Sequence, residues 1–187
     1  MFKSCSVLVK TLFLLLSTVG FTMNSSADTW QKPDVKIPTT ELVLDLKVLI
    51  GAPVRVGPSD AGMRQFIPIT GGEFEGQHLD GAKISGEVIP GGADWQLVRP
   101  DGVLEVKAIY AIKTADGAVI EVDNRGLVAS VAADEEKNMP ASRYVRTTPT
   151  FKAPKGQYEW LNQRVFTGTI TPSPKGDFVQ IRVFLIH

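Results

Sequence analysis

Val103-Leu104-Glu105-Val106-Lys107-Ala108-Ile109-Tyr110-Ala111-Ile112-Lys113-Thr114 is the longest run of this chain to follow a period of two. Leu104, Val106, Ala108, Tyr110 and Ile112 fall on one side, and Glu105, Lys107 and Lys113 on the other, because successive side chains of a strand point to opposite faces. The apolar side has to be covered. No amphipathic run of about ten residues or more at helical spacing exists elsewhere to cover it, so the cover has to be more sheet.

Working outward, Thr114-Ala115-Asp116-Gly117 is a tight hairpin, since Asp-Gly tolerates the positive φ of a short reversal. The returning strand Ala118 to Asp123 runs into Asn124-Arg125-Gly126, a polar corner. On the other side, Pro90-Gly91-Gly92 and Pro100-Asp101-Gly102 read as turns that bracket one short strand. In that strand Asp94, Gln96 and Val98 share one face and Trp95, Leu97 and Arg99 the other, so whichever face turns inward carries a polar group that needs a partner or a ligand.

The rest of the chain keeps the same cadence. Leu42, Leu44, Leu46 and Val48 alternate with Val43, Asp45 and Lys47. Gly57 to Gly62 reads as a loop, Met63 to Ile69 as extended, Thr70-Gly71-Gly72 as a turn, and Glu73 to Gly76 and Gly81 to Ile89 as separate short strands. Ala132 to Pro140 reads as a loop and Arg143 to Phe151 as extended. Tyr158 to Asn162 opens the final pair, Val165 to Thr171 and Phe178 to Ile186. Turns every eight to twelve residues or so mark an all-β chain. The fold class is therefore an antiparallel sheet of roughly eight to ten strands, and a sheet of that size closes or splits into layers. Closure into a barrel removes the edges and leaves room for a cavity at one mouth.

The amino terminus of the 187-residue sequence has a different character. Lys3 and Lys10, the apolar run Thr11 to Phe21 and the small residues Ser25-Ser26-Ala27 form a secretory signal cleaved after Ala27. The apolar run is shorter than the ~20 residues that span a bilayer. The expected organisation is a signal over residues 1–27, an extended lead-in over 28–40 and a single barrel over 41–187. Cys5 is the only cysteine and lies within the signal, which excludes cysteine nucleophiles and cysteine–zinc sites in the mature chain. An export signal without disulfides suits a bacterial periplasm. Without Lys3 and Lys10 the acidic residues outnumber the basic ones by two. No basic patch indicates nucleic acid, and nothing indicates a membrane surface once the signal is gone.

Arg64, Ile67-Pro68-Ile69-Thr70-Gly71-Gly72, Phe74, Gly76, Pro90 to Gln96, Arg99-Pro100-Asp101-Gly102, Asp116-Gly117-Ala118, Asn124-Arg125-Gly126, Tyr144, Arg146-Thr147, Pro149, Phe151 and Trp160-Leu161-Asn162 occur in this order. From about Glu41 to the carboxyl terminus this pattern resembles the domain-of-unknown-function family 3237, also known as UPF0311. The resemblance implies a calycin-like, lipocalin-like β-barrel and brings no activity with it. Arg64-Gln65 stands where the family often has two arginines, and the signal peptide precedes a domain that many relatives carry without one.

Asp94 leads the candidates for chemistry. One reading places its carboxyl at the barrel mouth against a Trp95 wall that desolvates it for acid–base work; the other has it bonding turn amides while Trp95 fills the core. Arg64, Arg125 and Arg146 either converge inside the barrel on an anion or pair with acids such as Asp94, Glu73 and Glu105. Tyr110, Tyr144, Trp160 and Asn162 supply the aromatic walls and polar handles of a small-molecule pocket, with core packing as their other fate. His78 and His187 are isolated, so neither a metal site nor a serine triad is expected. Gly71-Gly72 and Gly91-Gly92 precede strands rather than helices and are not phosphate loops. No cofactor is expected.

The expected function is a periplasmic barrel that binds a small organic molecule among Arg64, Asp94, Trp95, Tyr110, Tyr144, Arg146, Trp160 and Asn162. The alternative is a cofactor-independent lyase, hydratase or isomerase in which Asp94 is the general acid or base and Tyr144 and Arg146 stabilise negative charge. A third reading is a structural or self-associating barrel without a ligand, marked by aromatics on the outer face.

Overall fold

The computed structural model describes residues 34–134 and 140–187. The expected signal over residues 1–27, Cys5, Trp30 and residues 135–139 lie outside the described residues. The order of elements is β1 (Thr40–Ile50), β2 (Val54–Ser59), β3 (Gly62–Gln77), β4 (Lys83–Val98), β5 (Leu104–Thr114), β6 (Val119–Val131), β7 (Ser142–Lys152), a short 3₁₀ helix (Glu159–Gln163), β8 (Phe166–Pro172) and β9 (Phe178–Ile186). All strand pairs are antiparallel and run in the order β1-β9-β8-β7-β6-β5-β4-β3-β2. A further pairing of β1 with β3 closes eight strands into a barrel and leaves β2 as an extra strand on β3.

The turns expected at the paired glycines are bends inside long strands. β4 is continuous from Lys83 to Val98, and its register against β5 skips between Ile89 and Ala93, at Pro90-Gly91-Gly92. Pro90 has no N–H to give the ladder, so the sequence punctuation marks a bulge rather than a reversal. Glu73 to Gly76 likewise joins β3, whose register against β4 skips between Pro68 and Glu73. Both bulges bend their strands to follow the barrel wall. Gly57 to Gly62 is the end of β2 and a tight turn rather than a loop, and the stretch that opens the final pair forms the 3₁₀ helix Glu159–Gln163.

Asn124-Arg125-Gly126 is not a corner. It lies within β6, paired with Lys107 and its neighbours on β5 and with Thr147 to Pro149 on β7. A Cβ on Gly126 would stand 2.3 Å from the Arg146 carbonyl oxygen and 2.5 Å from Thr147 Cγ2. The glycine serves close packing between strands, not a reversal.

One end of the barrel is packed solid. Tyr110, Ile112, Ile120, Val122, Leu44, Phe74 and Leu185 fill it, and Trp160 and Leu161 of the 3₁₀ helix plug it from below. Phe166 meets Phe151 edge-on at 5.1 Å and Trp160 at 6.0 Å. Beside this plug, the Asp116 carboxylate accepts hydrogen bonds from Thr114 and, at 2.9 Å, from the Tyr158 hydroxyl. Tyr158→Phe removes one donor while the exposed carboxylate can still reach water. A loss of about 0.5–1.5 kcal/mol in urea unfolding is expected.

Candidate functional site

The packed core stops short of the other end of the barrel, and there a cavity of about 290 Å³ remains. Val48, Ile67, Ile69, Val106, Ala108 and Ile181 form its apolar walls; Asp94, Gln96 and Asn124 bring polar groups to it, and exposed Arg143 stands with Pro172 among the lining residues. The β ladders explain why these residues meet. Asp94 faces Ala108 across β4–β5, and Ala108 faces Asn124 across β5–β6, so one register row carries a carboxyl, a methyl and an amide. Gln65 and Gln96 face each other in the neighbouring part of the β3–β4 ladder.

The carboxyl of Asp94 is held on both oxygens. Oδ1 accepts the Lys107 N–H at 3.0 Å, and Oδ2 accepts the Gln96 side-chain amide at 2.6 Å. Gln96 in turn accepts from Gln65 Nε2 at 2.8 Å. Burial pushes the Asp94 carboxyl above the usual carboxylate range, and the bonds from Gln96 and the Lys107 amide offset this only in part. Desolvation penalises the charged form, and among the described residues no cation lies against the carboxyl to compensate.

Strand alternation sends the neighbours of Asp94 the other way. Trp95 is 45% exposed on the outer surface, stacked on Phe66 at 4.7 Å. The expectation that its indole desolvates the Asp94 carboxyl is therefore corrected: the two side chains lie on opposite faces of β4, and the apolar interior does the desolvating. Tyr144, 49% exposed, also stands outside, with the Arg146 guanidinium 5.6 Å from its ring centre. Arg146 donates to the Val145 carbonyl at 2.7 Å. Arg64, Trp95, Tyr144 and Arg146 line a shallow outer groove with Lys107, Arg125 and Leu127.

Arg64 and Arg146 do not converge. They end one outer row, Arg64–Leu97–Glu105–Leu127–Arg146, and four strand spacings separate them by roughly 19 Å. Arg125 pairs with Asp123 at 2.8 Å, outside, rather than with an interior acid. Tyr110 does point inward, but it sits in the packed half, fully surrounded, and burial pushes its hydroxyl up. Trp160 belongs to the plug. Asn162 clamps the chain locally: its Oδ1 accepts the Ala153 N–H at 2.8 Å and its Nδ2 donates to the Ala153 carbonyl at 2.9 Å. Of the residues expected to share one pocket, Asp94 alone faces the cavity.

The fold and cavity can now be set beside known proteins. The family described as "Protein of unknown function (DUF3237)" matches residues 38–186, the whole barrel. The chain belongs to the DUF3237 family. A UPF0311 protein of Rhodopseudomonas palustris is similar to it, 37% identical over 137 residues that cover 70% of this chain and 86% of that one. The crystal structure of a β-barrel-like protein from Acinetobacter baumannii superposes with a TM-score of 0.71 at 29% identity, covering 83% of this chain and 100% of that chain. An enzyme from Penicillium herquei shares the fold, with a TM-score of 0.63 at 22% identity over 84% of this chain and 100% of that one.

In this DUF3237 barrel the sequence reasoning missed Asn124 and Arg143 as cavity residues, and it left Gln96 and its partner Gln65 out of the site. Gln96 carried a signal, since it shares the face of Asp94 two positions away. Asn124 carried none. Its Asn-Arg-Gly setting is that of a turn, and only the registers of β5 and β7 place it over the cavity.

Proposed function

We propose that this protein binds a small organic molecule in the barrel cavity and does so in the periplasm after export. The observation that carries the reading is the Asp94 carboxyl, with Gln96 and Asn124, turned into an otherwise apolar space. A volume of about 290 Å³ lies near the lower bound of ligand pockets, roughly 300 Å³, so the guest is small. The amino-terminal Lys3, Lys10 and Thr11-to-Phe21 pattern supports export. Native mass spectrometry of the protein isolated from its own periplasm tests both parts. A barrel that starts at Asp28 and carries one small molecule is expected; an uncleaved chain overturns the export reading, and a barrel that remains empty across a soaked metabolite extract overturns the binding reading.

The raised Asp94 carboxyl favours a second reading, a cofactor-independent acid–base enzyme acting on the same guest. Asp94→Asn separates the two. A binder keeps its affinity within about threefold, whereas an enzyme loses turnover by about 10²–10⁴-fold.

Stability gives an independent check on Asp94. Its folded-state pKa is raised, so the native protein holds the proton to higher pH than the unfolded chain does. The contribution is full below the unfolded value of about 3.9 and is lost as pH rises through the folded value. Asparagine carries no such penalty, and the Gln96 and Gln65 amides can turn over to keep their bonds. Asp94→Asn is therefore expected to melt at or above the wild-type temperature near pH 7, with the gap closing below about pH 4. A variant that melts several degrees lower at neutral pH would make Asp94 a structural residue.

A further inference from the structure

Asn124 is 1% exposed, and its Oδ1 is buried without a hydrogen-bond partner. Among the described residues its side-chain amide bonds to nothing. Its neighbours explain this: Ala108 faces it from β5 and Pro149 from β7, and neither side chain carries a polar group. Leaving a buried amide unpaired is costly. The row that isolates Asn124 also continues past Ala108 to Asp94.

Ala108 is the small member of that row, so the space above its methyl stays open between a carboxyl on β4 and an amide on β6. Two strand spacings put the backbones at the ends of the row roughly 10 Å apart, and the cavity of about 290 Å³ between their side chains has room for a single ring. Each Asp94 oxygen already accepts one bond, from Lys107 N–H or from Gln96, and an ionised carboxyl can only accept more. The guest therefore offers it a donor. An anionic guest would meet a carboxylate with exposed Arg143 as the sole cation among the described lining residues. Asn124 takes either a donor or an acceptor, since its amide can present oxygen or nitrogen.

We propose that the cavity selects a neutral single-ring molecule with a hydroxyl toward Asp94 and a second hydroxyl or carbonyl toward Asn124, lying across Ala108. This rests on the reading of the cavity as a ligand site. The two polar ends set orientation and the walls supply the apolar contact.

The test is a ¹⁵N-resolved NMR titration of the purified protein with cyclohexane-1,4-diol, cyclohexanol and cyclohexanecarboxylate at pH 7, with xenon as a probe of the cavity itself. The diol is expected to shift the Asn124 side-chain amide pair and the Ala108 amide. It should bind at least tenfold more tightly than cyclohexanol, and the carboxylate should bind more weakly than either. Asn124→Leu should erase the difference between diol and cyclohexanol while xenon still enters. Ala108→Val, which keeps both polar ends and fills the floor, should exclude the diol. If xenon enters but the diol does not bind, or binds no better than cyclohexanol or the carboxylate, the two-ended selection is wrong and the cavity reading stands. If neither xenon nor any ring shifts the cavity residues, both readings fall.

Discussion

Phe166→Ala is expected to remove about 3–5 kcal/mol of stability, a large share of the 5–15 kcal/mol or so that holds a domain of this size together. Phe166 is 2% exposed at the start of β8. Its ring touches Phe151 at 5.1 Å, nearly perpendicular, and Trp160 at 6.0 Å. These contacts join the wall of the barrel to the plug, because Phe151 comes from β7, Trp160 from the 3₁₀ helix and Phe166 from the strand that follows it. Truncation leaves a hole that two neighbours on separate elements cannot close. Urea unfolding should show a lower midpoint at unchanged slope. A loss below about 1 kcal/mol would mean that the plugged end is not part of the cooperative core.

Gly72→Ala is the second large effect, and it acts on barrel closure. Gly72 has φ of 139°, a region that side chains with a Cβ rarely adopt, and a Cβ built there would lie 2.1 Å from the Lys47 carbonyl oxygen. Lys47 and Val48 belong to β1, and Gly72 pairs with Val48. The clash therefore falls on the one ladder that turns an open sheet into a barrel. Backbone strain of about 1–3 kcal/mol adds to the displaced hydrogen bonds. The expected result is a loss of at least about 3 kcal/mol, with faster amide exchange on both sides of the β1–β3 seam than elsewhere. Uniform exchange across all strands would mean that this seam is not the weak ladder. Because Val48, Ile67 and Ile69 wall the cavity, a seam that opens also breaches the cavity. Closure and cavity are thus one structural fact.

The split of the motif residues between two faces has a simple cause. Asp94 and Trp95 are adjacent, and a strand sends adjacent side chains to opposite sides. A dense polar–aromatic stretch on a barrel strand therefore builds two surfaces: an interior one around Asp94 and Gln96 and an outer one around Trp95, Arg64, Tyr144 and Arg146. Treating the stretch as one site joined what the pleat separates. Trp95 and Tyr144 are half-exposed on the outer face, and the mass of the native protein tests whether that face pairs copies of the chain.

What the sequence by itself determined is the class of fold and the sidedness of its clearest strands. The alternation in Val103 to Thr114 put Leu104, Val106, Ala108, Tyr110 and Ile112 on one buried face, and the absence of any covering helix required the sheet to close. These follow from local rules, because the period of a strand and the demand to cover apolar surface are properties of a few adjacent residues. Only the tertiary structure decided which paired glycines were bulges, where the core stopped and the cavity began, and that Asn124 stands across Ala108 from Asp94. Those depend on register between strands, and register is set by how all eight barrel strands close on one another rather than by any one of them.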